Sequence, residues 1–206
     1  GSQQGLDFAA RIFINPGDVI ICESPSYLGA INAFKAYEPK FVEVETDDYG
    51  MIMEDLELAL KENDNAKFIY VIPDFQNPSG KTWSEERRKR LVELANEYNV
   101  AILEDNPYGE LRFEGEFLPA VKHYDTEGRV IFLGTFSKIF CPGLRLGWVA
   151  ADEEVLNKFI MVKQGADLQS STISQMEVAK FLETYNIEEH IEKLKKVYKK
   201  RKDLMI

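Results

Sequence analysis

The chain has 206 residues, 45% of them hydrophobic and 29% charged, with a formal net charge of -10, a composition that suits a soluble globular chain of one large domain or a domain with a small appendage. The acidity argues against nucleic acid or an anionic membrane as a partner, so a phosphate-bearing ligand has to be held by a local set of donors. No apolar run approaches the roughly 20 residues of a membrane-spanning helix, no charged-then-apolar leader opens the chain, and Cys22 and Cys141 stand far apart without C-x-x-C or histidine partners, which disfavours a disulfide framework or a zinc site and points to the cytoplasm.

In chain order, Leu6, Ala9, Ala10 and Phe13 recur at i, i+3, i+4 and i+7 and predict an opening helix. The turn residues Asn15, Pro16, Gly17 and Asp18 lead into an apolar, β-branched run over 19–22, and further runs follow over 40–44, 67–72, 100–103, 130–136 and 146–150. Ser84 is a candidate N-cap for a helix whose stripe is Leu91, Leu94, Ala95 and Tyr98. Beyond Asp152 the strands stop. Val155, Phe159 and Val162, then Val178, Phe181, Leu182 and Tyr185, mark helices, and the charged segment IEKLKKVYKKRKDLMI closes the chain at Ile206 without a stop signal. The basic stretch over 193–202 reads as a solvated helix face in preference to a nucleic-acid contact. Strand alternating with helix predicts an α/β fold, a three-layer α/β/α sandwich with a mainly parallel mixed sheet. The first five runs are expected to be parallel. The link from Phe136 to Leu146 is too short for a crossover helix, so the sixth run is expected to be antiparallel.

Ligands of open α/β sheets gather beyond the carboxyl ends of the strands, and polar residues cluster there. Glu23, Ser24 and Tyr27 follow the first run, Asp74 and Asn77 the third, Asp105 and Tyr108 the fourth, and Thr135, Ser137 and Lys138 the fifth. Ser2, Gln3 and Gln4 open the first helix, where free N–H groups and the helix dipole favour an anion such as phosphate; taken alone, Ser2 reads first as an N-cap. Asp105 ends the apolar run AILED, and a buried carboxylate needs a cation, either Arg112 in a structural pair or the protonated ring nitrogen of a ligand. Asn77 in DFQNPSG is either a turn former or a ligand contact. Lys138, at a strand end beside the cation Arg145, is expected to be partly buried, conditions that favour a nucleophilic amine able to form a Schiff base with an aldehyde. Arg145, brought back by the Cys-Pro-Gly turn, would then hold an anion near the same point, or else pair with one of the many carboxylates. An aldehyde, a phosphate and a protonatable ring nitrogen together describe pyridoxal phosphate.

The stretches GSQQGLD, ESPSY, PDFQNPSG, EDNPYGELRF and TFSKIFCPGLRLGW, in that order, resemble the large domain of the class I and II, fold-type I aminotransferases. They are most similar to the branch that holds 2-aminoadipate and kynurenine aminotransferases and the GntR/MocR-type regulators. The resemblance spans essentially the whole chain, and its spaced motifs are specific where S-x-x-K alone would be nearly worthless. It implies transfer of an amino group from an amino acid to a 2-oxo acid with pyridoxal 5'-phosphate as cofactor. Lys138 would form the Schiff base and shuttle the proton of the substrate Cα, Asp105 would pair with the pyridinium nitrogen, and Asn77 and Tyr108 would hold the phenolic oxygen. Tyr27 would stack on the ring, while Ser2, Gln3, Ser137 and Arg145, with Thr135, would grip the phosphate. The resemblance further implies a preceding segment and a following smaller domain that supplies the arginine for the substrate's α-carboxylate. Residues 1–165 would then be a large domain incomplete at its N-terminus and 166–206 a helical segment leading to the smaller domain. Such a fragment is expected to be inactive alone, and the intact protein to be a homodimer. Two alternatives share the pocket: the cofactor-sensing domain of a DNA-binding regulator, and a lyase on the same fold. The amino donor is not legible.

Overall fold

A computed structural model describes residues 1–205; Ile206 lies outside the described residues. The chain runs α1 (Ser2–Phe13), β1 (Val19–Ser24), α2 (Leu28–Lys35), β2 (Lys40–Asp47), β3 (Gly50–Met51), α3 (Met53–Glu62), β4 (Ala66–Val71), α4 (Glu85–Glu97) and β5 (Ala101–Asp105). It continues through β6 (Val130–Thr135), α5 (Phe136–Ile139), β7 (Gly147–Ala150), α6 (Glu153–Ala166), α7 (Thr172–Thr184) and α8 (Ile187–Met205). The strands form one seven-stranded sheet in the order β3-β2-β1-β4-β5-β6-β7. β1, β2, β4, β5 and β6 are parallel, and β7 runs antiparallel to β6, as the short link before it requires.

Alternation along the strands feeds two cores. Val19 and Ile21 of β1, with Ile69, Val71 and Ile102, pack on one face against Leu56 of α3 and Leu91 and Leu94 of α4. Their neighbours Ile20 and Cys22, with Phe68, Tyr70, Leu103 and Leu133, face Leu6, Ala9 and Ala10 of α1, Phe34 of α2 and Phe159 of α6. The outcome is the expected three-layer sandwich. Withdrawing a side chain such as Leu91 or Phe68 from water contributes about 1.5–3 kcal/mol. Ser84 caps α4 as read from the sequence, its hydroxyl accepting from the Arg87 N–H at 3.3 Å.

Most strand ends differ by one to three residues from the expectation, β1 running on to Ser24, β2 to Asp47 and β5 to Asp105, and two differences bear on the site. The fifth run stops at Thr135, not Phe136, because the Thr135 hydroxyl accepts from the Ser137 N–H at 3.1 Å and starts α5. Ser2 is the first helical residue of α1 and not its cap; Gly1 takes the cap position without a side-chain bond. The helices α6, α7 and α8 each bury one residue, Phe159, Val178 and Ile191 respectively. Within the basic stretch of α8, Lys199 and Lys202 pair with Glu114, so part of that face is spent on an internal contact. No described helix is long and apolar enough to cross a membrane.

Candidate active site

The chain crosses from β1 to β2 on one side of the sheet and then returns to build β4, β5 and β6 on the other, which leaves a crevice at the carboxyl ends of β1 and β4. A cavity of about 360 Å³ opens there, lined by the ten residues to which the resemblance gives a cofactor role, together with Ile72 and Pro107, whereas Gln4, Glu23, Ser24 and Asp74, also expected at the rim, do not line it.

Its walls come from separate stretches. Tyr27 precedes α2, and its hydroxyl donates to Gln3 Oε1 at 3.4 Å while Gln3 Nε2 donates to the Gly29 carbonyl at 2.8 Å, so the residue following β1 and the start of α1 hold each other. Gly29 leaves room for the ring, since a Cβ there would lie 2.5 Å from the Tyr27 Cζ and hydroxyl. Asn77 and Tyr108 come from the loops after β4 and β5. Burial raises the Tyr108 phenol above its ordinary value, with the charges of Asp105 and Tyr27 acting in the same direction and the Asn77 side chain drawing it back.

Asp105 ends β5 and is 3% exposed. Its Oδ2 accepts from the Tyr70 hydroxyl at 3.2 Å, while Oδ1 is buried with no hydrogen-bond partner among the described residues. Burial pushes the carboxyl up to about 7, against a smaller pull downward from the Tyr70 bond. The sequence leaves open a structural pair with Arg112, and the fold rejects it: Arg112 Nη2 bonds Asp74 Oδ1 at 3.0 Å. A carboxylate so placed lacks one donor and one cation.

Opposite, Thr135 is 5% exposed and its hydroxyl donates to the Leu146 carbonyl at 3.3 Å, so that hydroxyl is already engaged on both sides. Lys138 is exposed, contrary to the expected partial burial, because four-residue α5 carries it at the open mouth of the cavity. Its ammonium lies 5.9 Å from the centroid of the Tyr108 ring. A short 3-10 turn over Pro142–Leu144 reverses the chain, and Arg145 closes it in the left-handed region, φ 55° and ψ 35°. Arg145 Nη1 donates to Ser137 Oγ at 3.2 Å and to the Pro142 carbonyl at 3.1 Å, not to a carboxylate. The turn thus sets Lys138 and Arg145 on one cavity. Gly147 lets the start of α1 approach: a Cβ there would lie 2.6 Å from the Gly134 carbonyl and 2.9 Å from the Ser2 nitrogen.

A group carrying an anion, a reactive aldehyde and a protonated ring nitrogen fits this donor set. Ser2, Gln3, Ser137 and Arg145 offer donors to the cavity, and Asp105, with one buried oxygen unpartnered among the described residues, lines it as well. Sequence reading missed Ile72 and Pro107, which are apolar and carry no chemical signature. It also missed the use of Glu23, whose buried carboxyl accepts from the Ile72 N–H at 2.9 Å and from Trp83 Nε1 at 2.8 Å and so fixes the cavity wall at Ile72. Burial pushes that carboxyl up to about 7, and those two bonds oppose the shift.

Comparison with known proteins matches residues 1–206 to the family model described as aminotransferase class I and II. Among the relatives is an aromatic-amino-acid aminotransferase of Thermococcus litoralis, 51% identical over all of this chain and 50% of that protein. A helix-turn-helix-type transcriptional regulator of Bacillus subtilis, YisV, is 33% identical over all of this chain and 42% of that protein. Among solved structures, the Pyrococcus horikoshii kynurenine aminotransferase, crystallised in complex with PMP and with kynurenine as substrate, superposes with a TM-score of 0.96 at 45% identity, over all of this chain and 52% of that one. The chain spans about half the length of the curated relatives it matches.

Proposed function

Because the chain belongs to the class I and II aminotransferases, we propose that the protein containing it transfers an amino group from an amino acid to a 2-oxo acid, with pyridoxal 5'-phosphate held in the cavity between Lys138 and Asp105. The observation that carries this reading is the buried, unpartnered Oδ1 of Asp105 in the cavity that Lys138 also lines. Pyridoxal phosphate, when bound, supplies an aldehyde carbon that condenses with amines and a ring that accepts the electron pair left when a substrate Cα–H bond breaks.

The chain's own residues divide the remaining work. Asp105 holds the proton of the ring nitrogen in place, and the incoming cation in turn stabilises the buried carboxylate. Asn77 and Tyr108 hold the ring's phenolic oxygen, and Tyr27 covers one face. Ser137, Arg145 and the start of α1 bind the phosphate, with Thr135 fixing Ser137 from behind. Lys138 Nζ would anchor the cofactor and, as a free amine, would take the proton from the donor's Cα. The exposed position of Lys138 suits both tasks, because a donor has to reach the same point.

Residues 1–165 act in this reading as the cofactor-binding unit, with 166–206 leading toward a further, smaller domain. The exposed apolar side chains of α6 and α7, including Met161, Ile173 and Met176, support a homodimer in the whole protein. Free Cys22 and Cys141 agree with a cytoplasmic location. Borohydride reduction of the complete, cofactor-loaded protein should fix a pyridoxyl group on Lys138 by peptide mapping, and a panel of amino donors should yield 2-oxo acids. Label on another residue would remove the proposed site; label on Lys138 without turnover would favour the sensing domain of a regulator.

A further inference from the structure

Behind the cavity lies a second polar cluster, and the protein completes it without help. Asp74 lies three residues before Asn77 and is 2% exposed. Its Oδ1 accepts from Arg88 Nη2 at 2.9 Å and from Arg112 Nη2 at 3.0 Å. Its Oδ2 accepts from Arg88 Nη1 at 3.1 Å and from Asn106 Nδ2 at 3.4 Å. Arg88, 0% exposed, spends its other donor contacts on the carbonyls of Pro73, Trp83 and Pro119.

Asp74 lies in the loop that carries Asn77, its partners Asn106 and Arg112 lie in the segment after β5 that carries Tyr108, and Arg88 comes from α4. Asn106 directly follows Asp105, and its Oδ1 accepts from the N–H of Gly109, the residue after Tyr108, at 2.9 Å. Arg112 closes the short turn over Gly109–Leu111, and its guanidinium lies 4.8 Å from the centroid of the Phe75 ring, between Asp74 and Gln76 in the other loop. One carboxylate therefore ties the loop carrying Asn77 to the loop carrying Tyr108. Buried ion pairs are weak contributors to stability, and a well-packed apolar substitute is often as stable, so a role in geometry accounts for the cluster better than stability does.

We propose that Asp74, with Arg88 and Arg112, is a positioning cluster that fixes the separation of Asn77 and Tyr108 and thereby sets the hydrogen bonding the pair offers to an anionic ring oxygen. The proposal rests on the reading of the cavity as a pyridoxal phosphate site, and its test separates the two. In the complete protein, Asp74→Asn and Arg112→Gln are compared with wild type by two measurements: the pH midpoint of the visible absorbance change with pyridoxal phosphate bound, and amide exchange of residues 73–83 and 106–112 without it. The midpoint should move for Asp74→Asn in the direction it moves for Asn77→Ala, and the double variant should move by less than the sum. Amide exchange should accelerate about tenfold or more in both loops together, with β5 unchanged. A lowered melting temperature with the midpoint unmoved, or faster exchange in one loop alone, overturns the proposal in favour of a plain structural pair. Arg112→Gln keeps the Asp74 pair with Arg88 and carries both readouts if Asp74→Asn does not fold. A wild-type protein that takes up no pyridoxal phosphate defeats the cofactor reading, and in that case the exchange of the two loops alone decides whether the clamp exists.

Discussion

Asp74 and Asp105 lie past or at the ends of neighbouring strands, 2% and 3% exposed, and their surroundings are opposite. Both oxygens of Asp74 are met by two guanidinium groups and an amide. Asp105 has one phenol and a bare oxygen. The same side chain at the same depth is in one place met by the fold's own cations and in the other left with an oxygen that no described residue partners. What separates the structural acid from the one proposed to bind a ligand is not burial but whether the fold supplies the countercharge.

The contrast can be broken from the ligand side first. Lys138→Ala removes the amine that lines the same cavity as Asp105, and kcat of the complete protein should fall by at least about 10⁴-fold, more than 5 kcal/mol of transition-state stabilisation; transamination kinetics near wild type would show that another group does the work. On the framework side, Asp74→Ala leaves Arg88 buried without its anion and should lower the unfolding free energy by about 3–5 kcal/mol, read by urea denaturation. A loss below about 1 kcal/mol would mean that water replaces the carboxylate.

The pH dependence sharpens the comparison. The Asp105 carboxyl, ordinarily at 3.8, is pushed up to about 7 in the fold, so between those values the folded state keeps a proton that the unfolded chain has lost. Stability of the ligand-free protein should therefore decline as pH rises from about 4 to about 7, by roughly 2–4 kcal/mol from this group. Glu23 and Glu104, both pushed by burial from 4.5 up to about 7, act with the same sign. Asp105→Asn should match wild type near pH 4 and exceed it at pH 8 in thermal melts, with saturating pyridoxal phosphate reversing the order; a gap independent of pH would locate the effect elsewhere. A smaller effect is expected at Gly147, where the Cβ of alanine meets backbone atoms of Gly134 and Ser2: Gly147→Ala should cost about 1–3 kcal/mol and weaken phosphate binding, measured by calorimetry. Smallest, Ser84→Ala should cost about 1 kcal/mol through the lost cap of α4 and leave both aspartates undisturbed.

Much of this was legible in the sequence because the relevant signals are local. Period-2 and period-3.6 patterns place the strands and helices, and polar residues after apolar runs mark the rim. Asp105 announced itself by ending an apolar run. The countercharge of Asp74 did not: Arg88 stands three residues before Leu91 on the buried stripe of α4, but within the charged stretch EERRKR its residue type reads as solvated, and nothing local shows the anion that lets it turn inward. The pairing of Arg112 with Asp105, one of the two alternatives the sequence leaves open, fails for a similar reason: the two residues are near in sequence, but the loop curls Arg112 back over Phe75 toward Asp74. The exposure of Lys138 was hidden by the length of α5, a single turn too brief to carry the residue beneath the surface.

The antiparallel return of β7 beside β6, with α1 laid against it, has a temporal consequence. The cavity unites Ser2 with Arg145, so during synthesis it is incomplete until 145 of these 206 residues have been made, and α1 must wait for its partner strand. Closing so long a loop is slow, and in the interval the half-built sheet presents an unpaired edge.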